Sequence, residues 1–196
     1  MKKLLFWGLI FVAAWQWFGP EEIVVLGPGV KVTEIPIQKV DSRAESFRFK
    51  DYQITPLASF KIKAKVLSKT NYSLGREADL SPTDLALGWQ NMSDESVLEN
   101  IEISQSGRWY RWNVQEFPIP RKAIETQSAN MHMIPANDMV EEMIDRVKQG
   151  QIIELSGYLI RVDADDGWRW QSSLTREDTG AHACELVYVD SIQVIN

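Results

Sequence analysis

Phe60-Lys-Ile-Lys-Ala-Lys-Val66 changes from apolar to basic at every step. A period of two puts Phe60, Ile62, Ala64 and Val66 on one face of an extended strand and Lys61, Lys63 and Lys65 on the other; a helix would scatter both sets. The lysine face reads as a solvated outer face or a protected edge strand. Other segments follow the same logic. Ile101-Glu-Ile-Ser and Arg108-Trp-Tyr-Arg-Trp-Asn-Val114 read as two strands joined by a turn at Gln105-Ser-Gly107. Gln151 to Val162 reads as a long strand whose interior Gly157 marks a bend or bulge. Asp163 to Gly167 turns the chain into Trp168-Arg-Trp170, and Cys184 to Ile195 is a final strand.

Helical spacing is well marked only after Pro135. Asp138 suits the cap, and Glu141 three residues on completes a capping box. Met139, Val140, Met143, Ile144 and Val147 fall on one side, and Gly150 ends the element. Asp94 to Leu98 can form one helical turn capped by Ser93, and the polar stretch Asn71 to Asp84 reads as a loop. No βαβ rhythm is present. The fold class is therefore mainly β (α+β), a small antiparallel barrel or sandwich with one well-marked helix. Gly150-Gln-Ile-Ile-Glu-Leu-Ser-Gly157-Tyr-Leu-Ile is similar to early strands of OB-type barrels, where a glycine lets a long strand curve, so an OB-like barrel is among the expected architectures.

The first nineteen residues stand apart. Lys2 and Lys3 precede an apolar run from Leu4 to Phe18 broken only by Gln16. This is an export or membrane-insertion pattern, and retention of the lysines in the cytoplasm sends the rest of the chain outward. Trp7, Trp15 and Trp17 suit the aromatic belt of an anchor helix; Val12-Ala13-Ala14 offers a cleavage site before Trp15 if the segment is a cleaved signal. Three regions follow: a signal anchor or signal peptide over 1–19, an extended Pro/Gly-punctuated lead-in over 20–57 that spaces the domain from the membrane, and a single β-rich domain over 58–196. The start of the chain looks bacterial. The expected location is the inner membrane, single-pass, with the carboxy-terminal domain in the periplasm, or an exported soluble protein if the signal is cut.

The formal charge is −6, and −8 without Lys2 and Lys3, so the outward part has no bulk attraction for nucleic acid. Cys184 is the one cysteine, which excludes an intrachain disulfide. P-loop, dinucleotide, His-Glu-x-x-His and nucleophile-elbow patterns are absent, and no cofactor is expected.

Three groups of residues could carry function. Arg108, Tyr110 and Trp112 share one strand face, and Trp168 and Trp170 another; if the faces adjoin they form a platform for stacking sugars, peptides or another protein's side chains. The alternative is that these rings fill a barrel core. Met131, His132, Met133, His182 and Cys184 are soft ligands of the kind Cu(I) takes, although a strand through 131–133 would point the methionines away from His132. Cys184 with His132 or His182, oriented by Asp178 or Asp138, supplies the residue types of a thiol enzyme, with Ser172 or Ser173 as substitute nucleophiles. The polar segment from Ser172 to Cys184 adds Arg176 and Asp178 as candidate binding residues on a loop. The leading expectation is a noncatalytic, membrane-anchored envelope domain that binds another envelope protein or a glycan or peptide. The alternatives are an envelope thiol/His-dependent hydrolase using Cys184 and His132, or a Cu(I)-binding protein.

Overall fold

The computed structural model describes residues 23–40, 44–175 and 184–195. The expected anchor over 1–19 and the loop residues Arg176, Asp178 and His182 lie outside them. No helix among the described residues is long and apolar enough to cross a membrane.

The chain is mainly β. Its strands are β1 (Ile37–Val40), β2 (Phe47–Phe49), β3 (Tyr52–Asn71), β4 (Thr83–Gly88), β5 (Glu102–Ser106), β6 (Trp109–Asn113), β7 (Ser128–Pro135), β8 (Ile152–Ala164), β9 (Arg169–Gln171) and β10 (Glu185–Val194). Among the described residues four short α-helices join them: α1 (Arg76–Leu80), α2 (Glu95–Leu98), α3 (Arg121–Thr126) and α4 (Asp138–Asp145). Eight strands form one mixed sheet, and β5 and β6 form a separate hairpin. The pairings β3–β4, β4–β7, β7–β10, β10–β8 and β8–β3 return to their starting strand as a barrel-like ring. Its closure is uneven. β3 pairs with β8 from Tyr52 to Lys65 but with β4 only from Lys65 to Asn71. All these pairs are antiparallel except β7–β10, which is parallel.

The period-two run lies inside β3, where Phe60, Ile62, Ala64 and Val66 are all buried. They meet Leu85, Leu87, Met131, Met133, Leu155, Val187 and Val189 in the main core, and α4 closes over it with Val140 and Ile144. Each such side chain withdrawn from water stabilises the fold by roughly 1.5–3 kcal/mol. The lysine face is not a free edge. β3 pairs on both sides, and Lys65 is itself buried, donating to Glu95 Oε1 at 2.7 Å and to the Gly150 carbonyl at 2.9 Å.

Several local expectations change. The segment 71–84 holds a helix and the start of β4 rather than a continuous loop. Asn137, not Asp138, caps α4, its side chain accepting from the Val140 amide at 3.1 Å. Met139 and Met143 are exposed, so the buried stripe of α4 is narrower than its apolar composition. Asp94 caps α2 through the Ser96 amide. Ser93 is buried instead and accepts from the Lys31 and Val32 amides at 3.0 Å each. Gly157 does sit at an irregularity. A Cβ there would lie 1.9 Å from the Tyr188 carbonyl oxygen, where β8 and β10 shift register.

The described part of the lead-in is docked rather than free. Val24 donates to the Gln149 carbonyl at 2.9 Å, Leu26 to Glu95 at 3.1 Å, and Val32 is fully buried in the main core. β3 also begins at Tyr52, ahead of the expected domain start at 58.

Candidate functional site

The outer face of β4 and β7 carries a buried polar cluster. Asp84 stands directly opposite His132 in the antiparallel register, and His132 opposite Leu186 in the parallel one. Alternation puts Met131 and Met133 on the core side and Asn130 and His132 on the outer side. At the head of β10, Cys184 joins the outer side: the Asn130 amide and the Arg108 carbonyl each lie 3.9 Å from its sulfur.

Arg108 reaches this face because of its turn. Gly107 and Arg108 both have positive φ, 57° and 70°, the pattern of a tight two-residue hairpin between β5 and β6. Glycine adopts that conformation freely; at Arg108 the strain is held by side-chain bonds. Its guanidinium donates to Asp84 Oδ1 at 2.6 Å and to the Ser81 carbonyl at 2.9 Å, and Glu77 is 3.8 Å from its Nε. The Arg108 amide donates to the Tyr72 hydroxyl at 2.9 Å. The guanidinium lies 3.9 Å from the Tyr72 ring centre and 5.8 Å from that of Trp170. Trp170 in turn packs 4.9 Å from His132.

Asp84 is fully buried, and His132 nearly so. His132 Nδ1 is 2.9 Å from Asp84 Oδ1 but off the line of a well-aligned hydrogen bond, so the contact is chiefly an ion pair. Asp84 Oδ2 takes no hydrogen bond from any described group. Burial alone pushes the His132 imidazole down. The Asp84 carboxylate, together with Cys184 beside the ring, outweighs burial and raises it to about 9. The imidazole therefore carries a proton at neutral pH. Burial raises the Tyr72 phenol, opposed by the Arg108 amide.

The remaining candidates are distributed differently. Tyr110 and Trp112 share a face, as alternation requires, but that face covers Ile101, Ile124 and Met92. The Tyr110 hydroxyl meets Ser128 Oγ at 3.1 Å, and burial raises its phenol to about 12. Trp168 stacks near Tyr52, Arg76 and Trp170 on the other apolar cluster. Among the described residues the two aromatic faces belong to separate apolar clusters, and Arg108 reaches Trp170 from the hairpin. Ser172 bonds the Ser173 carbonyl and accepts the Leu186 amide, a lock at the head of β10. Asp138 is exposed at the start of α4.

Met131 and Met133 are fully buried on the face opposite His132, so these soft ligands do not converge. Among the described residues no three His, Cys, Asp or Glu side chains are placed to hold a metal ion. Asp84 was not foreseen as the carboxylate partner. Its signal was a lone acid in the otherwise apolar Leu85-Ala-Leu87 neighbourhood. Comparison with protein-family models, curated proteins and solved structures finds no match for this chain.

Proposed function

We propose that this chain is a membrane-anchored envelope domain, built as an OB-type barrel, that binds a peptide or glycan on the outer face of β4 and β7. One observation carries the reading: Tyr72 before β4, Trp170 after β8 and Arg108 from the hairpin meet over Asp84 and His132. The OB reading is supported by five strands taken in chain order, β3, β4, β7, β8 and β10, with β7 parallel to β10 and α4 between β7 and β8. OB barrels take ligands on the face of their second and third strands and on the loops joining strands one to two and four to five. Tyr72 lies on the β3–β4 connection, and Trp170 lies on β9 within the β8–β10 connection.

Trp168, Trp170 and Tyr72 are half-buried, leaving ring surface for a sugar face or an apolar side chain. Arg108 is already engaged by Asp84 and Ser81, so it orients these rings rather than offering an empty anion receptor. The net charge opposes a polyanion such as nucleic acid. The basic head and apolar run at 2–18 support the anchor and an outward-facing barrel.

Purification of the full-length protein from its native membranes tests this reading, with wild type, Trp170→Ala and Trp109→Ala compared by mass spectrometry of what co-purifies. Trp109 is an exposed ring on the other side of the hairpin and serves as the control. The reading expects a component near one-to-one that Trp170→Ala loses and Trp109→Ala keeps. A component kept equally by both variants, or none with the wild type, refutes it.

A further inference from the structure

An extended lead-in would hold the domain clear of the membrane, but the described part of this one has no slack. Val24 donates to the Gln149 carbonyl at 2.9 Å, and Gly150 lies so close that a Cβ there would be 1.8 Å from the Val24 carbonyl oxygen. Glu95, paired with the buried Lys65, holds the Leu26 amide at 3.1 Å, and Asp94 holds the Gly29 amide at 2.8 Å. From Val24 onward the chain is therefore fixed to the turn between α4 and β8. Ile23 and Val25, on either side of that residue, are 56% and 74% exposed.

Five peptide links separate Ile23 from Phe18, the last residue of the apolar run. Fully extended, they reach about 18 Å at most, and the headgroup layer takes up about 5–7 Å of that. We propose that the turn between α4 and β8, with Ile23 and Val25 beside it, rests on the phospholipid bilayer that carries the anchor. This placement rests on the anchor proposed above and adds which surface of the domain meets lipid. Ile23 and Val25 enter the interfacial layer with their apolar side chains, as exposed apolar residues beside a membrane do. β8 then leads away from the lipid for 13 residues, up to about 43 Å of strand with an irregularity at Gly157. Trp170 pairs with Val162 near the far end of β8, so the ligand face is held out from the membrane.

The test places full-length protein in liposomes of phosphatidylcholine and phosphatidylglycerol that carry a nitroxide quencher on the headgroup. Flotation of the liposomes first reports whether the protein is anchored. In a Cys184→Ser background, Val25→Cys and Asp165→Cys each carry one fluorophore. Val25 lies at the proposed contact, and Asp165 is an exposed residue just past the other end of β8. Lys148→Cys and Arg48→Cys repeat the comparison, so that one misfolded variant does not end it; Arg48 pairs with Asp165. The expected result is quenching at 25 and 148 at least about twofold stronger than at 165 and 48, because the length of β8 separates the two pairs. Equal quenching at both ends in protein that floats, or stronger quenching at 165, overturns the contact and spares the anchor. Protein that does not float with the liposomes overturns the anchor and the contact together.

Discussion

Glu95→Ala should be one of the most damaging single changes away from the candidate site. Its carboxylate accepts Lys65 Nζ at 2.7 Å and the Leu26 amide at 3.1 Å. The Lys65 side chain is 3% exposed, so after truncation its ammonium stays buried, donating to the Gly150 carbonyl with no counter-ion beside it. Leaving a buried charge without its counter-ion costs roughly 3–5 kcal/mol. The orphaned Leu26 amide adds about 1 kcal/mol. The reverse change is milder. Lys65→Met leaves a carboxylate that is 16% exposed, keeps its bond to Leu26 and can turn to water, costing about 1–3 kcal/mol. With both groups gone no charge is stranded, so the double variant Lys65→Met/Glu95→Ala should lose less than Glu95→Ala alone. Urea unfolding of the four proteins at pH 7 gives the cycle, with an expected coupling of at least about 2 kcal/mol. Burial raises the Glu95 carboxyl, but Lys65 and the Leu26 amide bring it below its ordinary value. The pair's contribution is thus present above the unfolded carboxylate range and fades as pH falls through the lowered folded value. A Glu95→Ala cost under about 1 kcal/mol, or strict additivity, would show that Glu95 does not hold the Lys65 charge in the folded protein.

Other outcomes follow from the same geometry. Asp84→Ala strands the Arg108 guanidinium and should cost about 3–5 kcal/mol in denaturant unfolding, where a surface carboxylate change costs under about 0.5 kcal/mol. Gly157→Ala drives a methyl into the Tyr188 carbonyl and should lower stability by about 3 kcal/mol or more, seen as a falling unfolding midpoint. Ser93→Ala removes the acceptor of two lead-in amides, and limited proteolysis should then cut within residues 23–40 faster than in wild type. In a Cys184→Ser background Asp84 still raises His132, so its contribution is full below pH 6.5 and fades as pH rises through that raised value; unfolding at pH 6 and pH 9.5 should differ more than in Cys184→Ser/His132→Gln.

The sheet was legible because its signal is local. Alternation in Phe60–Val66, the hairpin at Gly107 and the glycine at 157 each act through backbone and nearest neighbours. What was not legible depends on distant partners. Lys65 looks like a surface lysine until Glu95, thirty positions away, is brought to it. The lead-in looks like a stalk because its anchors are the Ser93 and Glu95 side chains, not a pattern of its own. At the candidate site, the residue types of Cys184 and His132 suggested chemistry, but the expected carboxylates were Asp138 and Asp178. The true neighbour, Asp84, was hidden in a segment read as loop, and only the β4–β7 register pairs it with His132. Arg108 was expected to share a face with Tyr110 and Trp112. Its left-handed turn instead swings it onto Asp84.

β4 and β7 hold a charged imidazole against a buried carboxylate on their outer face. NMR titration of the His132 ring tests it most directly, and since the chain has 2 histidines, a His182→Gln variant assigns the signal. The expected midpoint is near 9 and falls sharply in Asp84→Asn. A midpoint at or below the ordinary 6.5, or one indifferent to Asp84, would contradict it.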